Sequence, residues 1–213
     1  MKRIFSLVIV ILTLLSSVIS LSSCDRDYDE TEVLAAARVL LKKSEELNEI
    51  YYGKGLRSDE LTSESVGNYK KVLDEELEKY GISDLDSLKV KTREVFTYSF
   101  SEEIFSVKLN PTYDENGVNY ARYIEHSFDI SGDEKYIYVD PNHKVYMTDK
   151  VEYKYDSVKV KDVEDEYLYL SVMAVITNEE GKSREVEIEF TMLEEINGWR
   201  LDSFTFAVYE ELK

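Results

Sequence analysis

From Thr31 the apolar positions recur at spacings of three and four. Val33, Ala37, Leu40, Leu41, Ser44, Leu47 and Tyr51 share one face, while Glu32, Arg38, Lys42, Lys43, Glu45 and Glu46 fall mostly off it. This pattern predicts an amphipathic helix with Asp29 as N-cap, Glu32 completing a capping-box-like pair, and a stop at Tyr52-Gly53-Lys54-Gly55. Residues 56–68 are polar and read as a surface loop. Tyr69 to Leu73 begins a strand, and Asp74 to Tyr80 suits a helix equally well. Ser83 opens a helix carrying Leu85, Leu88, Thr92, Val95 and Phe96; Ser99, with Glu102 three later, opens another carrying Phe100, Ile104 and Phe105.

After Pro111 the period changes to two. Short strands are expected at 120–125, 135–139 and 144–147, the last two parted by the turn Asp140-Pro141-Asn142. Longer ones are expected at 151–163, 167–177 and 184–195, and a fourth at 199–209 closes the chain. Val186, Ile188, Phe190 and Met192 alternate with Glu185, Glu187, Glu189 and Thr191, so one face of that strand is wet. The stretch 167–176 is apolar on both faces, which predicts a central strand covered above and below. A bulge near Asp202-Ser203 would bring Trp199 and Leu201 to the same side as Phe204, Phe206 and Val208. Hairpin turns fall at Asn197-Gly198 and at 178–181. The predicted class is α+β, with N-terminal helices packed on a curved antiparallel sheet.

The first 23 residues follow a different logic. Lys2 and Arg3 precede an uncharged run from Ile4 to Leu21, the layout of a secretory signal. Leu21-Ser22-Ser23-Cys24 resembles the lipobox of bacterial lipoproteins, in which the cysteine thiol receives a diacylglyceryl group carrying fatty acids such as palmitate and becomes the mature N-terminus. Cys24 is the only cysteine, so it has no partner for an intramolecular disulfide, and a free thiol on an exported chain is a liability that lipidation removes. Two or three acyl chains, at roughly 0.8 kcal/mol per buried CH₂, anchor a protein stably. The expected organisation is a signal peptide at 1–23, a lipidated tether at 24–30 and one α+β domain at 31–213, held on the extracytoplasmic face of the cell membrane.

Charge narrows the partners. The chain carries 44 acidic against 26 basic residues, a net −18. That excess argues against nucleic acid and against an anionic lipid surface as the primary target, and favours a basic protein. Carboxylates alternate from Asp25 to Asp29 as in a calcium loop, but Glu30 stands where the turn needs glycine and Ala36 where the bidentate glutamate belongs. His126 and His143 are the only histidines and neither has metal-ligand spacing; no phosphate loop or nucleophile motif is present, so no cofactor, metal or catalytic residue is assigned. A pair of His126 and Asp129 lining a pocket is the one enzymatic alternative.

Seventeen tyrosines are the more informative feature. Tyr136, Tyr138, Tyr146, Tyr153, Tyr155, Tyr167 and Tyr169 suit half-buried sheet positions, with the hydroxyl free to reach water or a partner. Ordinary strand packing explains them too. Of these, Tyr136, Tyr138, Tyr153 and Tyr155, rimmed by Asp162, Glu164 and Asp165 from the acidic run 162–166, form the candidate partner-binding set.

Helices followed by a meander ending in NGWRLDSFTF look like the cystatin-like or NTF2-like cone, in which a bent sheet wraps a long N-terminal helix. AARVLLKKSEELNEIYYGKG, YKKVL, SLKVKTREVFT, YARYIE, EKYIYVDPN and GWRLDSF resemble, in order, segments of the secreted inhibitors of bacterial cell-wall DL-endopeptidases. The resemblance implies a non-enzymatic protein that docks on the catalytic domain of a peptidoglycan hydrolase. The lipid anchor departs from that family, and its contact residues do not transfer one by one. The alternative is a lipoprotein with a small-molecule or peptide pocket inside the cone.

Overall fold

A computed structural model describes residues 28–58, 65–110, 112–114, 117–119, 121–127, 134–147 and 149–207. The stretch 1–23 expected to be a signal peptide, Cys24 and Asp129 lie outside the described residues. Helix α1 runs Glu30–Tyr51, and its N-cap is Asp29, whose carboxylate accepts the Thr31 N–H at 2.9 Å and the Glu32 N–H at 3.4 Å. Its buried stripe contains every position of the predicted face and adds Asn48 and Ile50. No helix among the described residues is long and apolar enough to cross a membrane.

The hairpin β1 (Ser65–Val66) and β2 (Tyr69–Lys71) follows, then α2 (Asp74–Tyr80), α3 (Leu85–Arg93) and α4 (Tyr98–Lys108). The caps of both tandem helices are displaced from the predicted serines, by one residue in α3 and by two in α4. Asp84 caps α3 in a reciprocal box with Ser87, because Asp84 has the extended backbone a cap requires while the Ser83 hydroxyl turns back to bond its carboxylate at 3.0 Å. Thr97 caps α4, leaving Ser99 inside the first turn.

Two antiparallel sheets take the rest. Sheet A has the order β1-β2-β6-β5, from β5 (Tyr123–His126) and β6 (Tyr136–Val139); a separate hairpin pairs β3 (Thr112–Asp114) with β4 (Gly117–Asn119). In sheet B, β9 (Tyr167–Thr177) lies between β10 (Ser183–Glu195) and two short strands, β7 (Lys150–Tyr153) and β8 (Lys159–Glu164), while β11 (Gly198–Leu201) flanks β10. The arrangement is α+β, helices followed by curved antiparallel sheets in a cone-like form.

Three sequence expectations change. The predicted strand 151–163 is broken by a 3₁₀ turn at Tyr155–Ser157, and its halves pair with opposite ends of β9; a bulge between Val160 and Asp162 adds local twist. Residues 144–147 form no strand, because the Tyr146 and Met147 N–H groups both donate to the Tyr52 carbonyl, at 2.8 and 2.9 Å. The closing strand ends at Leu201, where the Leu201 and Thr97 N–H groups bond to the Val95 and Leu201 carbonyls and tie it to the α3–α4 junction.

The core is one cluster reaching from Val33 to Leu201. Leu168, Leu170, Val172 and Ala174 of β9 face it, as do Ile188, Phe190 and Met192 of β10. The opposite face of β9 is only partly covered: Tyr169 is 37% exposed, so the strand is central in its sheet without being buried on both sides.

Candidate functional site

The predicted tyrosines divide between the sheets. Tyr136 and Tyr138 lie on β6 of sheet A, where Tyr138 is fully buried against the His126 ring (centroids 6.2 Å apart) and Tyr136 is half-buried under the Lys71 ammonium, 3.7 Å from its ring centroid. Tyr153 ends β7 of sheet B and Tyr155 opens the 3₁₀ turn after it, and the two rings pack on each other at 6.1 Å. Their hydroxyls face inward: Tyr153 donates to the Thr205 carbonyl at 2.6 Å, and Tyr155 donates to the Glu45 carboxylate on α1. Burial raises the pKa of the Tyr153 hydroxyl well above its ordinary value and is the main reason Glu45 is raised too. These four rings therefore do not share one surface, because tyrosine satisfies a core position as readily as an interface.

The acidic residues do collect. Asp162, Glu164 and Asp165 are exposed at the β8–β9 hairpin, where Asp165 takes a positive φ of 54°. The register sets Asp162 opposite Tyr169 and Glu164 opposite Tyr167, while Thr191 faces Tyr169 across the other edge. Side chains alternate, so Tyr169, Thr191 and Glu189 come up on the outer face of sheet B. Together with Asp162, Glu164, Lys161 and Ser203 they line a groove of about 460 Å³.

The groove is anionic because its one lysine, Lys161, is committed to Glu187. Glu187 accepts from Ser171 Oγ at 2.8 Å, from Lys159 Nζ at 3.1 Å and from Lys161 Nζ at 3.3 Å, and these hydrogen bonds hold its carboxyl down to about 2. Among the described residues no basic side chain ion-pairs with Asp162, Glu164 or Glu189. Desolvation, followed by the charge and hydrogen bond of Glu164, raises the pKa of the Tyr169 hydroxyl. A partly exposed aromatic ring among three carboxylates that have no ion pair among the described residues suits a guanidinium or ammonium group, through ring face and charge together.

Asp162 and Glu164 were in the predicted set. Tyr169 belongs to the wider group of tyrosines, and the sequence pattern marks Glu189 only as part of a wet strand face. The signal that joins them is strand register, which no single segment carries. His126 lies on β5 beside Tyr138, and no group of three His, Cys, Asp or Glu side chains among the described residues is arranged to hold a metal ion. No protein-family model, curated protein or solved structure matches the chain.

Proposed function

We propose that this protein is a lipid-anchored extracytoplasmic binding protein, not an enzyme, that captures a basic protein partner of the cell envelope on the outer face of sheet B. A cell-wall hydrolase, restrained by the docking, is the partner class implied by the resemblance in sequence. The observation that carries the reading is the groove in which Asp162, Glu164 and Glu189 surround Tyr169 and ion-pair with no basic side chain among the described residues, the groove's one lysine, Lys161, being paired with Glu187. Aromatic anchors rimmed by charge are a composition typical of protein interfaces, and complementary charge speeds encounter.

The test uses the full chain extracted from envelopes in detergent. Its intact mass should record a diacylglyceryl thioether at Cys24, and titration with the isolated catalytic domain of a basic cell-wall hydrolase should give an affinity that falls on the order of tenfold or more as salt screens the groove. An unmodified thiol on an uncleaved leader would remove the anchor from the proposal. Absent or salt-independent binding would remove the partner.

A further inference from the structure

A second site of opposite sign lies at the end of α1. The last carbonyls of a helix lack intrahelical donors, and α1 has no basic residue in its last turn. Arg122, only 2% exposed, supplies what is missing: Nη1 donates to the Tyr51 carbonyl at 2.8 Å and Nη2 to the Gly53 carbonyl at 2.7 Å, while the neighbouring Tyr123 hydroxyl donates to the Ile50 carbonyl at 2.8 Å. This clasp leaves Arg122 Nε buried with no acceptor. Lys108, 1% exposed, is close by; its Nζ lies 3.1 Å from His143 Nε2 and 4.7 Å from the ring centroids of both Tyr52 and Tyr146. Neither buried cation ion-pairs with a carboxylate among the described residues.

Buried charges without counter-ions are costly, and in a chain of net −18 an unneutralised cationic pair is conspicuous. The pair adjoins a pocket of about 330 Å³ whose wall includes Arg122 and His143, with Lys54 exposed at its rim. Arg57 also lines it but is ion-paired to Glu75 and Glu76. Asp140 is the one carboxylate among the lining residues, and its Oδ1 accepts the Asn142 N–H at 2.9 Å within its own turn. A protonated Lys108 can only donate to Nε2, which puts the proton of a neutral His143 ring on Nδ1 and leaves the ring a donor. Leu56, Leu73, Val139, Pro141 and Val145 supply the apolar part of the wall, and Ser58 is the remaining polar residue.

We propose that this pocket binds a small organic carboxylate, its anionic head against Arg122 and His143 and its apolar body along Leu56, Val139 and Val145. Arginine pairs well with carboxylates, and a concave site in which polar groups converge beside an apolar wall fits a small ligand with a charged head and an apolar body. The site is separate from the groove on sheet B and stands or falls independently of it.

The full chain in detergent is titrated with benzoate, with benzyl alcohol as the neutral counterpart, and the two histidine rings are followed by NMR. Benzoate should shift the His143 resonances saturably, with a Kd of about 1 mM or tighter, and leave His126 in place; benzyl alcohol should not. Arg122→Gln would also undo the helix clasp, so the informative variant is Lys54→Glu at the exposed rim, expected to weaken benzoate about tenfold. No saturable shift at His143, an equal response to benzyl alcohol, or unchanged affinity in Lys54→Glu would overturn the proposal.

Discussion

Lys108 illustrates what a single residue contributes. Burial, then the charge of Arg122, pulls its ammonium down to about 8 from an ordinary 10.5. Burial, then Lys108 and Arg122, pulls His143 down to about 4 from 6.5 against the opposing effect of Asp140. Tyr52, Tyr146 and Arg122 are the other groups facing the pair, with Lys144 over the Tyr146 ring and Glu103 near Tyr52. Both bases bind more protons in the unfolded chain than in the folded one, so each contributes stability that grows with pH between its folded and ordinary values. Acidification from about 6.5 towards 4 should therefore destabilise the fold through His143, and raising the pH above about 8 should stabilise it through Lys108. That gain stops near pH 10, where unfolded tyrosines ionise while Tyr51 and Tyr153 are held neutral by burial. Thermal melting of Lys108→Met should lose the rise between about pH 8 and 9.5. An identical slope in wild type and variant would show that Lys108 is not the group responsible. None of this was legible in sequence, where Lys108 is one lysine at the end of an amphipathic segment; the core position comes from packing.

The elements were more legible than their ends. A period of 3.6 over five turns located α1, because burial of its stripe and the Asp29 cap agree with each other. The caps of α3 and α4 were displaced because neighbouring residues compete for the same role and backbone conformation decides. Period two cannot reveal that Tyr155-Asp156-Ser157 turns out of the strand, since half-buried and exposed positions alternate through the break. The stop after α1 was read from its glycines, yet its cause is tertiary. Gly55 has φ +78°, and a Cβ there would lie 2.3 Å from Arg122 Nη2 and 2.7 Å from the Tyr123 hydroxyl; Gly67, at φ +61°, has nothing within 4 Å. Gly67→Ala should therefore cost about 1–2 kcal/mol, the left-handed backbone penalty alone, and Gly55→Ala about 3 kcal/mol or more because it also displaces the clasp. Urea denaturation measures both. Equal losses would mean that Arg122 and Tyr123 yield easily and do not fix the helix end.

At the scale of the molecule, one acidic body presents two different sites. Sheet B turns outward a tyrosine and three carboxylates without ion pairs among the described residues, whereas the end of α1 brings Arg122 and His143 into the wall of a second pocket, with Lys108 against His143. The composition indicated a basic partner for the whole chain but was silent about this second site, since −18 is a sum and sites are local. The charge-based account of the partner can be separated from a general attraction between opposite charges by moving the same charge in two places. Glu189→Lys, in the groove, and Asp86→Lys, on an exposed turn of α3, change the net charge equally. Measured at one salt concentration against the catalytic domain of the hydrolase, Glu189→Lys should lower the affinity on the order of tenfold or more and Asp86→Lys by less than about twofold. Equal losses in the two variants, or none in Glu189→Lys, would contradict the groove as the docking surface.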